Sequence, residues 1–253
     1  MKTRTTLILL AVVLALALWI KFYESKQPNT DEARERAGKV VNIAGENVEG
    51  INIQNGDERI ELRKAGDKWR LEAPIKDQAD RNAVEDLISD LEMWGKDQTI
   101  PAKEIESEKG RLDEYDLVKP NLRLKLQGKD APPEILFGRD AALAGRMYVR
   151  FENSNDTFLV RQTVKKHVTK QPEEFRDRKL TETTSGQVNR VVLKTPAGEL
   201  EVQKQGDAWE IVKPLRARGD MQKINDLIAQ LTSARIQQFV GDDRGDLQPY
   251  ALA

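Results

Sequence analysis

The sequence predicts an α+β protein: an N-terminal transmembrane helix followed by a tandem repeat of antiparallel β-meander plus packed helix. Three observations predict it. An unbroken apolar run occupies residues 7–20. Two later stretches match each other at a constant offset of 140 residues. Within each stretch, apolar residues first alternate with polar ones and then recur at helical spacing.

The N-terminal segment comes first. Lys2 and Arg4 precede the apolar run, Thr5 and Thr6 extend it, and Lys21, Phe22 and Tyr23 follow it. The 19 residues from 5 to 23 make about 28 Å of helix at ~1.5 Å rise per residue, against a hydrocarbon core of ~30 Å. Trp19, Phe22 and Tyr23 fall where an aromatic belt belongs, and Lys21 can reach the headgroups. A cleaved secretory signal is the rival reading, with Ala15-Leu16-Ala17 as a small-x-small site. Cleavage there would leave Leu18-Trp19-Ile20 as an apolar new terminus, so residues 1–23 are read as a cytoplasmic tip and an uncleaved anchor. Lys2 and Arg4 favour a cytoplasmic N-terminus, with Lys21 and Lys26 weakening the asymmetry. Residues 24–45 read as a polar juxtamembrane tether carrying a solvated charge run from Asp31 to Arg36.

The repeat follows. Val48, Glu61, Lys64, Gly66, Asp67, Trp69, Pro74, Asp80, Asp86, Leu87, Ile88 and Leu91 each recur 140 residues later, from Val188 to Leu231. In both copies the parity is that of half-buried strands: Ile51 and Ile53, Ile60 and Leu62, Trp69 and Leu71 in the first; Val191 and Leu193, Leu200 and Val202, Trp209 and Ile211 in the second. Gly66-Asp67 and Gly206-Asp207 sit where the second strand must reverse, and glycine supplies the positive φ of a tight turn. Pro74 and Pro214 end the third strand by removing a ladder donor. Asp80 and Asp220 then cap a helix whose apolar stripe is Val84, Leu87, Ile88, Leu91 and Trp94, or Ile224, Leu227, Ile228 and Leu231. Gly95 is the expected stop of the first helix.

The first copy, residues 46–180, continues with four more apolar segments around 122–126, 135–137, 147–151 and 158–160, and a closing helix at about 162–171. The second copy, residues 181–253, has no such continuation after Leu247-x-x-Tyr250-x-Leu252, the counterpart of Leu112-x-x-Tyr115-x-Leu117. The expectation is a truncated second unit that exposes apolar surface.

Taken together, these motifs resemble a known family. Each copy has G-D-x-W-x-[LI]-x-x-P, an aspartate-started helix and Tyr-x-Leu. Gly138, Tyr148-Val149-Arg150 and the arginine-rich Phe175-Arg176-Asp177-Arg178-Lys179-Leu180 add to the pattern. The chain resembles the bacterial membrane-anchored family catalogued as domain of unknown function 4340, over about residues 40–253. The resemblance implies one membrane helix, an exported α+β region and, for some members, association with ABC-type transporters. It transfers no site residue.

Composition limits the chemistry. The chain has 253 residues, 41 basic and 42 acidic side chains, one histidine and no cysteine. The charge balance gives no nucleic-acid footprint. Absent cysteine excludes disulfides, thiolate nucleophiles and thiolate metal sites. No P-loop, G-x-G-x-x-G or G-x-S-x-G occurs. Trp69 and Trp209 are read as core, Asp67 and Asp207 as turn formers, and His167 as a solvated residue on a surface helix. Arg218-Gly219-Asp220 and Arg244-Gly245-Asp246 are too short a match to signify adhesion.

No catalytic, cofactor-binding or metal-ligating residue is therefore assigned, and no cofactor is expected. The expectation is a non-enzymatic, single-pass protein of the bacterial inner membrane with most of its chain periplasmic. It would bind or scaffold protein partners of the envelope, such as an ABC-type transporter. A glycan- or polymer-binding module is the alternative, and exposed aromatics such as Trp94 would favour it. A hydrolase working through paired carboxylates is the third reading. No small-molecule ligand is named.

Overall fold

The computed structural model describes residues 30–241 and residue 248. The proposed anchor at 5–23, Tyr250-x-Leu252 and Arg244-Gly245-Asp246 lie outside them. Among the described residues no helix is long and apolar enough to cross a membrane. The chain is α+β with antiparallel sheets, and it divides into two compact units between Arg176 and Asp177.

The first unit opens with α1 (Thr30–Gly38) and then enters the core. Val40, Val41 and Ile43 are buried, and the Val40 amide donates to the Trp94 carbonyl at 2.8 Å. The polar tether predicted over 24–45 is thus corrected at its end: three β-branched side chains there leave water for the core.

The meander is β1 (Val48–Asn55), β2 (Glu58–Ala65), β3 (Lys68–Ala73) and a short β4 (Asp77–Gln78), one strand more than predicted. Ile51 pairs with Leu62, Ile53 with Ile60, and Leu62 with Leu71, which puts every apolar position of the period-two pattern on one face. Gly66 turns β2 into β3 with φ 62°, as the turn chemistry required. Then comes α2 (Arg81–Glu92), capped by the Asp80 carboxylate, which accepts from the amides of Asn82 and Ala83. Its buried Val84, Leu87, Ile88 and Leu91 join the core of the sheet. The helix ends at Glu92, three residues before the glycine expected to stop it.

The remaining strands are β5 (Lys96–Ile100), β6 (Leu122–Gly128), β7 (Ile135–Asp140), β8 (Arg146–Phe151) and β9 (Thr157–Arg161). They do not form a separate layer. β6 pairs antiparallel with β1, so the sheet runs β4-β3-β2-β1-β6-β7-β8-β9-β5. Between α2 and β6 lie the short helices α3 (Ala102–Ser107) and α4 (Arg111–Glu114), which bring Ile105 and Tyr115 to the face opposite α2. Ile135, Leu136 and Phe137 are consecutive and all buried because β7 is covered on both faces, Leu136 by Tyr115 and Leu117. The predicted helix at 162–171 shrinks to α5 (Lys165–Val168).

The second unit contains β10 (Arg190–Thr195), β11 (Gly198–Gln205), β12 (Ala208–Lys213), β13 (Ala217–Arg218) and α6 (Met221–Ser233). They form a four-stranded sheet in sequence order. Val191 pairs with Val202, Leu193 with Leu200, and Val202 with Ile211. Asp220 accepts from the amides of Gln222 and Lys223. The buried core is small: Val202, Trp209, Ile224 and Ile228.

The helices make a direct comparison possible. Leu91 is 1% exposed and Leu231 is 48% exposed. Leu91→Ala should cost about 2–5 kcal/mol, whereas Leu231→Ala should stay within ~0.5 kcal/mol. Chemical denaturation of the two variants measures this, and equal losses would contradict the exposed state of α6.

Candidate functional site

The residues singled out in the sequence are mostly placed by structural duties. Trp69 and Trp209 are each 4% exposed, and the Trp209 indole donates to Asn225 Oδ1 at 3.1 Å. Asp67 and Asp207 stand exposed in their turns. Gly219 is buried, its amide donates to the Trp209 carbonyl, and Asp220 caps α6, so Arg218-Gly219-Asp220 is committed to the fold. Trp94 is buried, stacks on Phe137 at 5.7 Å and donates to the Arg161 carbonyl at 2.8 Å. It is therefore not an exposed stacking platform.

His167 corrects the sequence reading. It is not solvated but 4% exposed, and its Nε2 lies 2.9 Å from Asp90 Oδ2 on α2. The short α5 packs against α2 here through buried Val168 and the histidine. Lys166 Nζ sits 3.1 Å from the same carboxylate. Burial alone pushes the Asp90 pKa up, but the hydrogen bonds and charges of His167 and Lys166 outweigh it, and the net direction is down. A histidine and an aspartate in contact have the form of half a relay. His167 Nδ1, however, is buried with no hydrogen-bond partner, so the imidazole bridges to no hydroxyl nucleophile. The pair fastens α5 to α2.

The motif residues form a second knot. The Tyr115 and Tyr148 rings stack at 4.0 Å and 13°. Arg150 donates to the carbonyls of Leu117, Phe151, Glu152 and Ser154, at 3.1 to 3.3 Å. Burial lowers its pKa from the ordinary arginine value, yet an arginine stays charged at neutral pH. The guanidinium gathers loop carbonyls that would otherwise lack donors. Gly138 explains itself by contact: a Cβ there would lie 2.2 Å from the Tyr115 carbonyl oxygen. The Arg139 amide donates to that same oxygen at 2.8 Å.

A cleft of about 520 Å³ lies in the first unit between α2, the β2–β3 turn and residues 45–46. Lys64, Asp67, Trp69, Arg81, Glu85 and Glu92 are among the residues that line it. Arg81 pairs with Glu85 at 2.6 Å, and Glu92 accepts from the Gly45 amide at 2.5 Å. Arg81, Glu85 and Glu92 are thus engaged with the protein itself. Among the described residues no group of three His, Cys, Asp or Glu side chains could hold a metal ion.

A family model described as "Domain of unknown function (DUF4340)" matches residues 69–253. The chain belongs to this family. The match opens at Trp69 and takes in the Asp80-capped helix, Tyr115, Gly138, Tyr148 and Arg150. In this DUF4340 protein those residues cap, stack and bridge, and Tyr115 and Tyr148 also line an open concavity of about 290 Å³ with Glu114, Arg139 and Asp140. No curated protein and no solved structure matches the chain.

Two outcomes follow from these contacts. Gly138→Ala should destabilise the first unit by about 1–3 kcal/mol, because the backbone it would strike cannot yield; thermal unfolding reads it, and an unchanged midpoint would refute the close approach. The lowered Asp90 pKa contributes stability that is present above its unfolded value and lost as pH falls through its folded value. Asp90→Asn should therefore unfold more easily at pH 7 and lose less stability on acidification than the parent. Parallel stability curves between pH 7 and pH 3 would exclude that linkage.

Proposed function

We propose that this chain is a non-enzymatic scaffold of the bacterial cell envelope. A helix at residues 5–23 anchors it in the inner membrane, and two tandem α+β repeats outside the cytoplasm bind a protein partner of the membrane, an ABC-type transporter assembly.

Several observations support the repeats. The pairs Ile51–Leu62 and Val191–Val202, Ile53–Ile60 and Leu193–Leu200, and Leu62–Leu71 and Val202–Ile211 differ by one offset. The irregularities fall at Glu61/Leu62 and Glu201/Val202. Chance matching of strand lengths would not carry register, irregularity and cap together.

The observation that carries the binding role is the uncovered apolar surface of the second unit. Leu193, Leu200 and Leu231 are 44%, 36% and 48% exposed, while Ile53, Ile60 and Leu91 at the corresponding positions are 1–2% exposed. Leu193 and Leu200 pair across β10 and β11 and together line an open groove of about 260 Å³, and contiguous exposed apolar surface marks interaction sites. The anchor rests on the length and flanks of the apolar run, and the transporter on the family resemblance.

The alternative is an envelope-polymer or glycan module using the 520 Å³ cleft. Its charged lining favours a polar ligand, but Trp69 contributes only 4% of its surface, and sugar binding usually uses an exposed ring face.

Crosslinking in intact membranes followed by purification in mild detergent tests the scaffold. A reproducible membrane-protein adduct is expected. A chain recovered alone under every crosslinker, or one that partitions without the membrane, would overturn it.

A further inference from the structure

The nine-stranded sheet of the first unit is covered unevenly. α2 packs on one face. On the other, Ile105, Tyr115 and Leu117 cover Leu136 of β7. The part of that second face formed by β3, β2, β1 and β6 presents the polar parity of each strand. Its cations are Arg59 and Arg63 on β2, Lys68 and Arg70 on β3, and Arg123 and Lys125 on β6. All of them except Arg123 are exposed. Its acids are Glu61 and Glu72, with Glu134 at the start of β7. Residues 30–176 as a whole carry 26 basic and 30 acidic side chains, so positive charge is concentrated here. The helix on the opposite face is the complement: residues 80–92 carry five acidic side chains and one basic.

The three acids are each taken by an arginine. Glu61 pairs with Arg59, Glu72 with Arg70 at 3.7 Å and Glu134 with Arg123 at 3.9 Å. Arg63 and Lys125 have no carboxylate partner among the described residues. Arg63 stands directly opposite Arg70, and on its other side Gly50 offers no side chain. Lys125 stands opposite neutral Asn52. Like charges directly opposite in a ladder are unfavourable. A phosphate between the two guanidiniums turns that repulsion into charge-assisted hydrogen bonds.

The shape of the face decides between a small anion and a surface of anions. Neither cleft of the first unit described above includes Arg63, Arg70 or Lys125. Arg63 and Lys125 lie two strands apart, about 10 Å across the sheet. Anionic headgroups in a bilayer meet an open, extended row of this kind. The proposed anchor ends at residue 23 and α1 opens at Thr30. The six residues between them span no more than about 20 Å, which keeps headgroups at high effective concentration near this unit.

We infer that the uncovered face of β3, β2, β1 and β6 docks on the anionic phospholipid headgroups of the membrane that holds the chain. Arg63 and Lys125 are the groups that meet lipid phosphate, and Arg70 shares the phosphate bound by Arg63. The inference rests on the anchor reading above and gives the first unit an orientation on the bilayer.

The chain has no cysteine, so Gln54→Cys on this face and Asp86→Cys on α2, both at exposed positions, each accept a single fluorophore. The full chain with either label is reconstituted into phosphatidylcholine vesicles with and without phosphatidylglycerol, together with a lipid bearing a nitroxide on its headgroup. Quenching of the Gln54→Cys label should rise when phosphatidylglycerol is present, and the Asp86→Cys label should show no rise. About 1 M salt, where the screening length falls to ~3 Å, should remove the rise. So should Arg63→Glu combined with Lys125→Glu, both exposed substitutions. Equal quenching in both lipids, an equal rise at both labels, or a rise that survives salt and charge reversal would overturn the proposal. A photocrosslinker on Gln54→Cys that captures a protein and no lipid in native membranes would overturn it too. Flotation with the vesicles separates the two readings. A chain that floats without lipid-dependent quenching keeps its anchor and loses the face; one that does not float loses the anchor, and the docking face with it.

Discussion

The antiparallel pairing of β1 with β6 is the constraint on which the first unit depends. It joins a local meander to strands that arrive some seventy residues later, and the resulting nine-stranded sheet buries one continuous row of isoleucine and leucine. Without that joint, β1 would be an edge and its apolar face only half covered. The second unit has the same meander and the same capped helix but no strand beyond β10 among the described residues. Its core shrinks to four buried side chains accordingly. The contrast between the two units is a contrast in how much of a sheet is completed, since the local pairing is alike in both.

The family motif acquires a physical meaning in this light. Tyr-x-Leu, the glycine of β7 and the Tyr-x-Arg of β8 meet on the face opposite α2. They close that face by ring stacking, by a backbone approach that only glycine permits, and by one arginine that binds four carbonyls. Residues that recur in a sequence motif are often suspected of chemistry. Here each one has a partner within the fold, and the partner explains the residue type.

Local order was legible in the sequence because it rests on short-range periodicity. The strand parities, the Gly66 turn, the ends of β3 and β12 and the Asp80 and Asp220 caps all follow from neighbours a few residues apart. Long-range assembly was not legible. Nothing around Leu122 announces that β6 will pair with β1, nor does the run at 96–100, with only Ile100 buried, announce a strand beside β9. His167 failed for the same reason. Two lysines precede it, which reads as surface, but α5 is only four residues long and turns the histidine inward to Asp90 across a separation of 77 residues. Val40, Val41 and Ile43 were missed because a charged stretch precedes them, and composition averaged over a segment hides a short apolar end.

The position of β5 has a consequence for how the chain comes together in time. It is made between α2 and β6, yet its ladder partner is β9, so Lys96 waits for Val160 and Ile100 for Thr157. At ~5–20 residues per second of synthesis, those roughly sixty residues amount to several seconds in which β5 has no neighbour. Closing so long a loop also carries an entropic cost that local contacts cannot offset early. The strand is built for that wait. Lys96, Asp97, Gln98 and Thr99 are polar, and only Ile100 offers an apolar side chain. A nascent segment of that composition has little reason to aggregate before its place in the sheet exists.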